Sequence, residues 1–130
     1  MIGYTLVGSN DLEKAKAFYD DLFGAVGVKR LMEFPNGGCA WGSDWTKPMF
    51  GVGRPYDGEV ATSGNGTMIA IVLDERSKVD ALYEKALSIG AKCEGGPGVR
   101  GDEGPQAFYA AYFRDLDGNK LCAFRVGPAA

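Results

Sequence analysis

The chain has no histidine. That removes the commonest metal ligand and the commonest general base at neutral pH, and with them Ser-His-Asp and Cys-His catalysis. Cysteine is scarce: Cys39, Cys93 and Cys122 are odd in number, widely spaced and form no CxxC pair. A disulfide framework or zinc knuckle is not expected, and reduced thiols in a cytoplasmic protein are. No stretch approaches the ~20 apolar residues that span a bilayer, and Met1-Ile2-Gly3-Tyr4 lacks the charged start and apolar run of a signal peptide. There is no Lys/Arg run, and 14 basic against 17 acidic residues leave a net charge of -3. Neither nucleic acid nor an anionic membrane surface is an expected partner. A neutral or cationic small molecule suits that overall charge better.

What is present is an ordinary globular mixture, 45% hydrophobic and 24% charged over 130 residues, with 20 glycines to make turns. A chain of this size buries roughly two thirds of its unfolded surface. Residues 4–7 read as a strand. Ser9-Asn10-Asp11 opens a helix, with Glu13 placed for a capping box with Asn10, and Leu12, Ala15, Phe18, Tyr19 and Leu22 follow at helical spacing up to Gly24. Residues 28–52 are broken by Pro35-Asn36-Gly37-Gly38 and Thr46-Lys47-Pro48 into three expected strands. The plan then repeats: an apolar strand at 68–73, a helix capped by Asp74 or Ser77 and stopped by Gly90, and strands around 91–94, Phe108–Arg114 and Lys120–Val126. Tyr4 precedes Asn10 by six residues, and Met68 precedes Asp74 by six. The expected organisation is one α+β domain of two βαβββ modules, 1–54 and 66–126, joined by a Gly/Pro/Asp-rich connector at 55–65.

Two motif matches lead elsewhere than their letters. Gly96-Pro97-Gly98-Val99-Arg100-Gly101 fits GxGxxG but opens no helix, and reads as a flexible loop or lid. Asp115-Leu116-Asp117-Gly118-Asn119 has its glycine one place early for a calcium loop and no closing Glu, so it reads as a turn. Asp44, Asp57, Glu59, Asp102 and Glu103 read as solvated loop charges. Arg54, Arg100 and Arg114 are candidates to hold an anionic group.

Val7-Gly8-Ser9-Asn10-Asp11-Leu12, Ala17-Phe18-Tyr19, Gly64-Asn65-Gly66-Thr67, Ile89-Gly90-Ala91 and Phe113-Arg114-Asp115-Leu116-Asp117-Gly118-Asn119-Lys120-Leu121 together resemble the vicinal oxygen chelate superfamily of glyoxalases, bleomycin-resistance proteins and dioxygenases. The resemblance implies a cupped mixed sheet around a ligand or divalent ion, and a homodimer. It places the family's His and Glu metal ligands on Tyr4, Met68, Cys122 and a position near Phe50 or Gly51. A phenol, a thioether and a thiol make a poor divalent site, so no metal cofactor is expected. Strand alternation puts Tyr4, Leu6, Met68, Ala70, Cys122 and Phe124 on the cup side, and Thr5, Val7, Ile69, Ile71, Leu73, Leu121 and Ala123 under the helices.

The candidate ligand-binding residues are therefore Tyr4, Trp41, Phe50, Met68, Tyr109 and Cys122, with Trp45, Tyr112 and Phe113 as further aromatic candidates. Each has a plain alternative as core or interface, and Cys122 as an inert buried thiol rather than a nucleophile. Two functional readings stand open. One is a metal-free binder of a small organic molecule. The other is a lyase, isomerase or dioxygenase with unusual metal ligands. Beside these two stands a filled cup that serves only assembly.

Overall fold

The structure is a computed structural model and describes residues 1–129. Its order is β1 (Tyr4–Gly8), α1 (Leu12–Gly24), β2 (Lys29–Glu33), β3 (Cys39–Gly42), β4 (Met49–Gly53), β5 (Ile69–Val72), α2 (Arg76–Ser88), β6 (Lys92–Arg100), β7 (Phe108–Arg114) and β8 (Lys120–Val126). The βαβββ plan thus occurs twice. The strands form two four-stranded mixed sheets, ordered β1-β4-β3-β2 and β5-β8-β7-β6, each with one parallel pair. The chain divides into two compact units. Unit 1 holds residues 1–65 with 116–119; unit 2 holds 66–115 and the chain from Lys120 onward. No helix among the described residues is long and apolar enough to cross a membrane.

In unit 1, α1 begins one residue later than a capping box on Asn10 would have it. The N-cap is Asp11, whose Oδ1 accepts from the Lys14 backbone N–H at 3.2 Å. The Asn10 side chain instead pairs with the connector, donating to the Ala61 carbonyl at 3.0 Å and accepting from the Ala61 N–H at 2.7 Å. The 116–119 turn holds the same junction: Asp117 Oδ1 accepts from the Asn10 N–H at 2.9 Å, and Asn119 Nδ2 donates to the Gly8 carbonyl at 3.0 Å. Leu12, Ala15, Phe18, Tyr19, Leu22 and Phe23 are buried, so one face of α1 lies on the sheet.

In unit 2, neither Asp74 nor Ser77 caps α2. Its N-cap is Glu75, which makes no side-chain cap hydrogen bond, while Asp74 pairs with Lys78 at 2.7 Å. Val79, Leu82 and Ala86 are the buried stripe, and Gly90 (φ +108°) follows the helix as expected. The expected loop or lid at 96–101 is a correction. Gly96 through Arg100 belong to β6, paired with β7 and interrupted by register shifts between Cys93 and Gly95 and between Gly95 and Gly98. An edge strand tolerates this composition, because Pro97 needs no ladder donor there and glycine suits a bulge. Glu103 is not merely a solvated charge either. Arg76 donates to both of its oxygens, at 2.7 and 2.9 Å.

Candidate functional site

Alternation along each strand gives every sheet a face under its helix and a helix-free face. In unit 1, Trp41 pairs with Phe50 across β3 and β4, and both rings lie under α1. Tyr19 is the hub, with ring centroids 4.8 Å from Phe50 and 5.5 Å from Trp41. The Trp41 indole N–H donates to Asp20 at 2.9 Å, and Arg30 grips the same carboxylate through two N–H groups at 2.7 and 3.2 Å. Two of the candidate ligand residues are thus core of the helix side. Trp45 stands exposed in the turn between β3 and β4.

Tyr4 and Leu6 project from the other face, 60% and 54% exposed. Tyr4 has Phe34 as its aromatic neighbour at 6.5 Å. Gly51 and Ala40, paired in register, form a floor without bulk beside Leu6. Where β1 and β4 end, a hollow of about 370 Å³ opens between Leu6, Gly8, Gly53, Arg54, Pro55 and Val60. A second hollow of about 230 Å³ shares Arg54, Pro55 and Val60 with it.

In unit 2, Ala70 is in register with Cys122, and Cys122 with Tyr112, so these share the helix-free face with Met68, Val72 and Phe124. Met68 and Val72 are 43% and 70% exposed. Tyr109 is on the opposite face: its hydroxyl donates to Asp80 of α2 at 2.6 Å, and Arg76 lies over its ring at 5.0 Å. That hydrogen bond, with burial and the Asp80 charge, raises the Tyr109 phenol above its ordinary value. Cys122 is buried. Burial pushes its thiol up, while the Tyr112 hydroxyl and the Arg100 and Lys120 charges pull it part of the way back. A thiol held up in this way is a weak nucleophile.

The structure thus brings Met68 and Cys122 onto one face, and it keeps Trp41, Phe50 and Tyr109 under helices. It also gathers a group that the sequence reading left scattered. Arg100 Cζ lies 5.4 Å and Lys120 Nζ 5.6 Å from the centroid of the Tyr112 ring, beside Cys122. The period-two spacing of Lys120 from Cys122 was a usable signal. Arg100 was already a candidate to hold an anionic group, but its segment read as a loop, which hid its place beside Tyr112.

The four positions at which the resemblance places metal ligands do not fit a divalent ion. Tyr4 offers an exposed phenol, Met68 a thioether, and Cys122 a buried thiol that resists ionisation. Register decides the fourth. Phe50 points under the helix, and Gly51, on the helix-free face, has no side chain. A Cβ there would stand 3.1 Å from the Leu6 Cδ1 and 3.3 Å from the Thr5 carbonyl oxygen, so even the root of a glutamate is crowded. Among the described residues no three His, Cys, Asp or Glu side chains gather as a metal-holding group.

Residues 1–123 match the family model of the Glyoxalase/Bleomycin resistance protein/Dioxygenase superfamily. A glyoxalase/bleomycin resistance protein from Albidiferax ferrireducens is 34% identical with a TM-score of 0.84, over 96% of this chain and 98% of that one. A family enzyme from Burkholderia phytofirmans is 21% identical (TM-score 0.71; 95% and 97% covered), and a lactoylglutathione lyase from Agrobacterium tumefaciens is 20% identical (TM-score 0.65; 96% and 92%). These last two likenesses are of fold. No curated protein matches the chain.

Proposed function

Because the chain belongs to the Glyoxalase/Bleomycin resistance protein/Dioxygenase superfamily, we propose that it binds a small organic molecule on its helix-free sheet faces, without the family's divalent ion. One observation carries this reading: large apolar side chains, Tyr4 and Leu6 in unit 1 and Met68 and Val72 in unit 2, stand exposed on those faces. A soluble chain leaves such surface open mainly where something covers it. Burial of a ligand's apolar body against these groups supplies affinity, and the Tyr4 hydroxyl is a polar handle. The working form in this reading is a cytoplasmic homodimer.

The test is titration with N-phenyl-1-naphthylamine, a neutral apolar fluorophore, alongside bleomycin, followed by light scattering for the oligomeric state. Binding of either probe that Tyr4→Ala or Met68→Ala weakens by about tenfold, with unchanged circular dichroism, supports the reading. Failure of both probes to bind, with the apolar faces buried in an assembly, replaces it by a purely structural role. About one equivalent of nickel, zinc, iron or manganese per chain in protein purified without chelator would overturn the metal-free part and favour a lyase, isomerase or dioxygenase.

A further inference from the structure

The cations of unit 2 are unevenly neutralised. On the helix-free face, Arg114 is paired with Glu94 at 2.5 Å. Arg100 and Lys120 have no carboxylate partner within salt-bridge distance among the described residues. Both are instead drawn to the Tyr112 ring, at 5.4 and 5.6 Å. Arg100 is braced from below, donating to the Gly98 and Gly96 carbonyls at 2.8 Å each. Such bracing orients a guanidinium in advance and leaves further N–H donors in its planar fork. Glu94 feels Lys120 more weakly than it feels Arg114, and its carboxyl is held below the usual range chiefly by the Arg114 hydrogen bond. Next to this pair of charges the face is apolar, with Met68, Ala70 and Phe124 around Cys122.

From this juxtaposition we infer that the helix-free face of unit 2 selects an anionic amphiphile, a molecule with an aromatic or aliphatic body and a carboxylate, sulfonate or phosphate group. The body lies on Met68, Ala70 and Phe124. The acid lies at Arg100 and Lys120, next to the Tyr112 ring. The overall charge of -3 pointed the other way, but a bound group feels charges within a Debye length of about 8 Å rather than the sum over the molecule. Arg100 and Lys120 outweigh the one nearby carboxylate, Glu94, which Arg114 already pairs. Two charge-assisted contacts are the kind that fix the orientation of a small acid.

This inference rests on the ligand-binding reading of the helix-free faces, and a matched probe pair separates the two. 1-Anilinonaphthalene-8-sulfonate and N-phenyl-1-naphthylamine share an apolar skeleton and differ by one sulfonate. The expected result is that the sulfonate binds about tenfold more tightly at low salt. Lys120→Gln should bring the two probes to near equality, and 0.5 M sodium chloride should erase most of the gap. Arg100→Gln should act in the same direction. Because Arg100 also braces β6, Lys120→Gln is the deciding variant; circular dichroism checks that it folds. Equal binding of both probes to the parent protein overturns the anion preference and leaves ligand binding standing. A sulfonate preference that survives Lys120→Gln overturns the assigned site. Failure of both probes to bind overturns the ligand-binding reading and this inference with it.

Discussion

Under α1, unit 1 packs rings: Tyr19 and Phe23 lie 5.7 Å apart, and each lies within 4.8 to 6.0 Å of both Trp41 and Phe50. Under α2, unit 2 packs a single ring, Phe113, among Val79, Leu82, Ala86, Ala111, Leu121 and Ala123, and closes the rim with Tyr109–Asp80 and Arg76–Glu103. The helix-free faces differ in the complementary sense. Unit 1 shows Tyr4 and Leu6 over glycine and alanine, and unit 2 sets Arg100 and Lys120 beside its apolar residues. One backbone plan therefore carries two chemistries. The hydrogen-bonded ladders tolerate either set, because a strand's register constrains which way a side chain points and not what it is.

The sharpest way to break this comparison is to hollow out each core. Trp41→Ala should destabilise the protein by about 4 kcal/mol and Leu82→Ala by about 3 kcal/mol, read from urea unfolding. The first loses ring-on-ring contacts as well as area, so an effect at Leu82 larger than at Trp41 would contradict the aromatic-hub account of unit 1. A smaller effect comes from the helix starts. Asp11→Ala should cost about 1 kcal/mol, and Glu75→Asn should stabilise by about 0.5 kcal/mol, since α1 has a side-chain cap to lose and α2 has one to gain. Equal losses on removing either side chain would show that the caps do not distinguish the units.

The smallest effect concerns acid. Glu94 and Glu103 are held below the usual carboxylate range by hydrogen bonds from Arg114 and Arg76. Their folded values lie below the unfolded value of about 4.3. The stability they contribute is therefore complete above that pH and is lost as pH falls through the lowered values. Glu103→Gln and Glu94→Gln should each flatten the thermal midpoint's fall below about pH 4.3 without moving it at pH 7 by much, because both carboxylates are solvent-exposed. A fall unchanged in the double variant would show that the acid sensitivity lies elsewhere, with Asp44 of unit 1 as the next carboxylate to test.

Much of the architecture is local physics and was readable along the chain. Helical spacing from Leu12 to Leu22, the stops near Gly24 and Gly90, and strand alternation at β1, β5 and β8 each depend on neighbours a few residues away. The faces of Tyr4, Leu6, Met68 and Cys122 followed from that alternation. The chemistry at the family's metal positions came instead from the resemblance, which placed them on Tyr4, Met68 and Cys122. The candidate site was less legible. Tyr109 and Tyr112 are three residues apart, and which of them meets Cys122 depends on how β7 and β8 slide along each other across the 115–119 turn. Turn geometry sets that register, and sequence spacing alone does not. For the same reason Phe50 and Gly51 could not be told apart by residue type.

Composition along the chain determined that two similar modules would fold, that no imidazole chemistry would occur, and that apolar residues would line one side of each central strand. Tertiary structure alone decided that Trp41, Phe50 and Tyr109 would serve helix packing, that a Gly/Pro-rich segment would become an edge strand, and that Arg100 and Lys120 would meet at one ring. The physical reason is range. Periodicity and turns are settled by neighbouring residues, whereas partners twenty to fifty positions apart, like Trp41 and Asp20 or Asn10 and Ala61, are chosen only when the sheets form.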